Sequence, residues 1–478
     1  MTALDIPATS KESLGSDLGT MRLIFLIVAA AAPMAAVLGV VPVAFAFGNG
    51  AGLPLTFLVT AGILGLFAVG YSAMSREIVS AGGFYTYIAR GLGAAPALGA
   101  AFLAIVSYLA FACGVIGYFG FFGQLALAEV FGIDVHWIVT AGFSILFCAC
   151  LGYRQIDFSS RLVALLLIVE FVLLTALALA IVVDLGLDAF PVAALNPALM
   201  LDGAPGIALM LCFTCFIGIE AAALYSEEAQ APEHSIGRAT MGAIVLVVAF
   251  YFFITWVTIG AVGMDIGAVS REQLADLYFN LSSTYLGGLA TKMVIVFLAT
   301  SMLATGLAVH NVAARYLLSL GRQECLPGFL ARVHPRHRSP HLASLTVTAI
   351  SVAATLIFLT TGLDPLLGFG AVGVGLGTIG IIALQALTSL AVIGYFHRRG
   401  RSRLWATIIA PLLAFAGLSL ATGLAVVNFD LLAGYETALM RALPVLLLLT
   451  LVAGFGYGRW LRAYRPHAWE AVSRELSA

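Results

Sequence analysis

Apolar runs of about 20 residues recur from one end of the chain to the other, each closed by a short polar or glycine-rich stretch. The runs show no strict alternation of apolar and polar positions, so short tilted strands of a membrane barrel are not the expected element. Each is long enough to cross the hydrocarbon core as a helix. The pattern predicts spans at residues 21–47, 53–74, 95–127, 135–151 and 162–183. A sixth span follows a long loop ending at Pro205, and six more lie at 239–262, 288–320, 343–361, 365–396, 404–427 and 443–461. Residues 75–90 mix charges, the Gly82-Gly83 pair and tyrosines, as a short amphipathic helix at the membrane surface does. Residues 1–20 and 464–478 read as polar tails. The expected class is an all-α polytopic membrane protein of 12 transmembrane helices without a separate soluble domain.

Composition agrees: of 478 residues, 62% are hydrophobic and only 10% charged. A net charge of −1 says nothing about partners, and no basic stripe with interleaved aromatics suggests nucleic acid, so none is expected. Of the 23 Lys and Arg residues, all but Arg271, Lys292 and Arg441 fall on one side of this topology. That asymmetry predicts an even number of spans, both termini cytoplasmic, in the cell's inner membrane. The first span is too long for a signal peptide and has no A-x-A-like exit, so it reads as retained. Five of the six cysteines (Cys113, Cys148, Cys150, Cys212, Cys215, Cys325) fall inside spans, which is no disulfide framework. Cys212-x-x-Cys215 has redox or metal spacing but no second pair, so packing is the expected role.

Chemistry concentrates where spans look interrupted. Span 1 carries Pro33 within a run of alanines, and the proline removes a backbone donor while small residues admit a ligand or another backbone. Span 6 carries Phe216-Ile217-Gly218-Ile219-Glu220. These are the first helices of two candidate five-helix halves, residues 21–183 and 205–396, with residues 404–463 adding two more helices. Interrupted helices at matching positions point to an inverted-repeat transporter with a midplane site. Glu220 reads as a hydrogen-bond partner of broken backbone, an ammonium counter-ion or a proton carrier. Glu170 stands alone in span 5 and reads as a carrier of a proton or cation, or as a helix–helix hydrogen bond. Ser301 and Thr305 share a face of span 8; they bond back to their own helix or form a small-cation site with span 1 and Glu170. His310 and Asn311 are expected to cap or line the inner vestibule. The Gly370–Gly377 repeat lacks the Lys-Ser/Thr of a phosphate loop and reads as close packing. His334, His337 and His341, among prolines and arginines, read as a solvated loop rather than a metal cage.

Three motifs, in order, resemble the amino acid–polyamine–organocation (APC) superfamily of permeases. They are Ala81-Gly82-Gly83-Phe84-Tyr85-Thr86-Tyr87 after span 2; Phe216-Ile217-Gly218-Ile219-Glu220 with Glu227-Glu228-Ala229 and Pro232 after it; and Arg315, Gly321-Arg322, Leu326-Pro327 and His334-Pro335-Arg336 after span 8. The resemblance implies the leucine-transporter fold, a five-plus-five inverted repeat with two extra helices. It further implies uptake or exchange of amino acids or amines from a site between spans 1, 3, 6, 8 and 10. Two positions depart from the family: the span 1 break is alanine-rich rather than Gly-Ser-Gly-like, and Glu170 stands where many proton-coupled relatives have lysine.

On this footing Ala31, Ala32, Pro33, Met34, Ala35 and Ala36 of span 1, with Cys215, Ile217, Gly218 and Glu220 of span 6, form the expected substrate site. Phe213 and Phe216 gate it, and Tyr108 and Cys113 of span 3 border it. Carbonyls around residues 30–32 and 215–217 would take an ammonium group, and N–H groups around 34–36 a carboxylate. Glu170, Ser301 and Thr305 form the expected coupling site, with H⁺ or Na⁺ as the ion and no cofactor or resident metal. The expected function is alternating-access transport of an amino acid, neutral because the site is nearly uncharged, by ion coupling or exchange. The alternative is a putrescine- or ethanolamine-like amine, carried alone or exchanged for an amino acid. A membrane enzyme would need clustered catalytic side chains in the spans, and a channel would not need paired helix breaks.

Overall fold

The structure, a computed structural model, describes residues 19–78, 83–154, 160–219, 232–401, 403–432, 437–466 and 469–470. Among these, 11 helices are long and apolar enough to cross a membrane. The remaining expected crossing, span 6, is described as Pro205–Thr214 and the turns that follow to Ile219. Helices are the physical outcome of such runs, because backbone polar groups in hydrocarbon must be satisfied within their own segment.

Most spans overrun the windows their hydropathy marks. Span 3 is Ala94–Phe131, span 4 Trp137–Arg154, span 5 Ser160–Leu185, span 7 Pro232–Val262 and span 12 Ala438–Tyr464. Polar residues at the ends continue the helix because the backbone ladder extends past the apolar zone. The stretch after span 2 is a helix, Gly83–Leu92. The loop before span 6 contains three tight helical turns, Gly186–Ala189, Val192–Leu195 and Pro197–Leu201. The loop after span 7 holds helices Ile266–Gln273 and Leu277–Leu286, where a polar loop is expected. Arg271 of the first of these donates to the Ala46 carbonyl at 2.7 Å, fastening it to the end of span 1.

Span 10 (Pro365–Arg398) lies at the centre and span 12 at the edge: 83% of the most apolar stretch of the first is buried, against 22% of the second. Span 3 packs along spans 8, 10 and 12. Its crossing with span 10 is a glycine contact, since a Cβ on Gly373 would fall 2.7 Å from the Gly114 Cα. That is the close packing small residues permit between membrane helices. At one end of the bundle Glu77 meets Arg399 at 3.2 Å and Arg401 at 3.9 Å. Beyond span 11, Asp430 meets Arg441 at 2.6 Å.

Candidate substrate site

Span 1 breaks where its alanines meet Pro33. The first half, Thr20–Ala30, ends as Ala32 turns into the left-handed region at φ 44°, and a second stretch begins at Pro33. Pro33 has no N–H to continue the ladder. The Met34 N–H, which in an unbroken helix would bond the Ala30 carbonyl, instead donates to Glu170 Oε2 at 3.3 Å. Ser301 Oγ of span 8 donates to the same oxygen at 3.2 Å. Thr305 Oγ1 bonds the Ser301 carbonyl at 2.9 Å and so stays on its own helix. Glu170 is thus a buried carboxyl at the start of the second half of span 1, where the helix dipole favours negative charge.

Span 6 breaks by a different route. After Thr214 the helix tightens into three-residue turns, with Phe216 N–H on the Phe213 carbonyl at 3.0 Å and Ile217 N–H on the Thr214 carbonyl at 3.1 Å. Gly218 then turns at φ 110°, a backbone state that side chains with a Cβ rarely adopt. Thr214 Oγ1 lies 2.8 Å from Thr378 Oγ1, tying the break to span 10.

A cavity of about 150 Å³ opens between the two breaks. Ala31, Ala32, Ala35, Ala36, Tyr108, Ile217 and Gly218, expected at the substrate site, line it, and so does Thr305, expected at the coupling site. Pro33, Met34, Cys113, Phe213, Cys215 and Phe216 lie off the wall. Phe216 packs on Phe57 and Tyr251 with centroids 6.3 and 6.0 Å away, so the structure holds it in the core rather than across the cavity. Cys113 packs with Ile116, Trp137 and Ile145 beside span 4. Glu220 lies outside the described residues. Glu170 and Ser301 are also off the wall; Glu170 meets span 1 at the Met34 N–H, one residue before the wall residue Ala35.

Other wall residues escape sequence reasoning. Thr214 is one, hidden in an apolar stretch four residues before Gly218. Tyr118 is another, buried with no hydrogen-bond partner for its hydroxyl among the described residues. On span 8 the wall continues through Val309, Val312 and Tyr316. Their spacing of three and four was a readable signal, since it repeats on one helix face. No wall residue described is charged. His310 does not line this cavity. It bonds Ser344 at 2.8 Å and faces a separate space of about 20 Å³ between spans 3, 4, 8 and 9. His334, His337 and His341 gather around the Tyr153 ring, and among the described residues no group of His, Cys, Asp and Glu is disposed to hold a metal.

Two interrupted helices facing each other across a central cavity, inside a bundle of membrane-length helices, define the leucine-transporter fold. A crystal structure of a manganese transporter from Eremococcus coleocola shares that architecture at TM-score 0.56 and 13% identity, over 95% of both chains. The chain belongs to the amino acid permease family, whose model matches residues 18–452. Similar proteins include an uncharacterized transporter of Mycobacterium tuberculosis, 25% identical over 69% of this chain and 71% of that one. The branched-chain amino acid permease BcaP of Lactococcus lactis is 24% identical over 65% of this chain and 69% of its own. The low-affinity putrescine importer PlaP of Escherichia coli is 29% identical over 34% and 35%.

Proposed function

We propose that this chain carries a small neutral amino acid across the cell's inner membrane by alternating access, with the proton on Glu170 as the coupling ion. The observation that carries the reading is the cavity between two broken helices, with no charge on any described wall residue. The substrate ammonium meets carbonyls at the end of the first half of span 1 and around Cys215–Ile217 of span 6. Its carboxylate meets the start of the second half of span 1. There Met34 N–H is committed to Glu170 and Ala36 N–H to the Ala32 carbonyl, so Ala35, on the wall, supplies the remaining donor.

Coupling follows from the same geometry. Charged Glu170 holds Met34 N–H away from the Ala30 carbonyl and keeps span 1 broken. Protonation weakens it as an acceptor and removes its attraction to the helix dipole, so the bend at Ala32 responds to the proton. A protonated Glu170 also lowers the negative charge beside the substrate carboxylate, so proton and substrate favour each other's binding. Both termini are cytoplasmic in this reading, and the cavity reaches toward that side through Phe84 and Tyr316.

An amine substrate is the second reading, supported by the likeness to a putrescine importer and by the tyrosines on the wall. Uptake of labelled neutral amino acids, putrescine and ethanolamine into proteoliposomes under an imposed pH gradient decides between them. Accumulation of a neutral amino acid supports the first reading, accumulation of an amine alone the second. Equal inactivity on all, with the protein folded and correctly inserted, would sink both.

A further inference from the structure

The geometry points to a second station on the transport path: an aromatic vestibule at the inner end of the cavity that binds an organic ammonium group through ring faces. It rests on the reading of this cavity as the route of the substrate. Five aromatic side chains from four helices line this end: Tyr71 of span 2, Phe84 of the surface helix, Tyr108 and Phe111 of span 3, and Tyr316 of span 8. Tyr108 and Tyr316 lie stacked, 25° apart with centroids at 5.8 Å, and Tyr71 meets Phe84 edge to face at 6.3 Å.

Ring faces carry negative quadrupolar charge and attract a cation within about 6 Å of the centroid, most strongly where water is excluded. Four of these side chains are buried, so the attraction is little screened. No described wall residue is a lysine or arginine that would repel a cation, or an acid that would trap it in a salt bridge. Ring faces are therefore the counter-charge this wall offers. A Cβ on Gly83 would lie 3.7 Å from the Tyr316 hydroxyl, so the surface helix and span 8 approach closely at the inner edge. An ammonium group that leaves the carbonyls near Ala32 meets these rings next. An aliphatic wall would seal the path equally well but would hold no cation.

Calorimetric titration of the detergent-solubilised full chain with choline, and with dimethylbutanol as its uncharged isostere, tests the assignment without any transport step. Choline is expected to bind at least tenfold more tightly than the isostere. Tyr316→Phe keeps the ring and is expected to retain that affinity within twofold, whereas Tyr316→Leu loses on the order of tenfold. If Tyr316→Leu does not fold, Phe111→Leu gives the same reading. Equal affinity for the two ligands, or undiminished choline binding in a folded ring-less variant, would overturn the proposal. Because the readout is binding, a failed amino acid uptake assay and a failed vestibule remain separate results.

Discussion

In span 1 the chain turns at an alanine, Ala32, at φ 44°, and a carboxylate from span 5 takes the N–H that the break releases. In span 6 it turns at a glycine, Gly218, at φ 110°, after short-range turns that satisfy their own backbone. The second break is local: its conformation is written into the residue that adopts it. The first is tertiary. Alanine resists the left-handed region by about 1–2 kcal/mol, so the bend persists because Pro33 cannot continue the helix and Glu170 holds Met34. Under the proposed function, the break held by a titratable partner is the one that answers to a proton, and the break held by a glycine is fixed.

The largest effect is expected from Glu170→Gln, which keeps the size and hydrogen-bonding capacity of the side chain but not its titration. Substrate binding by the purified protein should persist while pH-driven accumulation in proteoliposomes disappears. Unchanged accumulation would remove Glu170 from coupling. Gly218→Ala comes next. It forces a Cβ into a backbone state costing about 1–3 kcal/mol, and uptake should fall at least tenfold with a lowered thermal midpoint. Ala32→Gly should do far less: relief of the left-handed strain is largely offset by glycine's entropy, leaving stability within about 1 kcal/mol of the parent. A loss as large as that of Gly218→Ala would mean that the two breaks are held alike.

A double-mutant cycle on Thr214→Val and Thr378→Val should return a coupling of about 0.6 kcal/mol, typical of hydroxyl pairs between membrane helices. Zero coupling would remove span 10 from the support of the span 6 break. The smallest effect on transport is expected at Asp430, in the short helix Phe429–Leu432 after span 11 and off the cavity wall. Its hydrogen bond from Arg441 holds the carboxyl below the ordinary carboxylate range. The stabilisation is therefore present above the unfolded value of about 3.9 and is lost as pH falls through the lower folded value. Arg441→Ala should flatten that acid limb in thermal unfolding while leaving the pH dependence of uptake intact. If uptake changed its pH profile instead, titration at the span 1 break would not be the sole source of coupling.

Much of this was readable in the chain. Run length marks the spans, and Pro33 and Gly218 mark the two breaks, because proline and glycine act through their own backbone chemistry. Thr214 and Tyr118 were illegible. A threonine in an apolar helix usually bonds its own backbone, as Thr214 also does to the Met210 carbonyl at 3.0 Å, and nothing local shows that Thr378 lies opposite. Phe213 and Phe216 were expected to gate because they flank the break, but flanking in sequence does not say which face turns inward. In the structure Phe216 faces Phe57 and Tyr251.

The sequence by itself determined a helical membrane protein, the number and order of its apolar runs, and the places where two of them cannot continue as regular helix. Those properties depend on length, polarity and the backbone limits of single residues. Only the tertiary structure decided that a lone carboxylate of span 5 meets a freed N–H 136 positions away, with a span 8 hydroxyl on the same oxygen. An isolated Glu170 had a burial cost that any partner could have relieved, and partner choice is set by how helices cross rather than by the residues beside it.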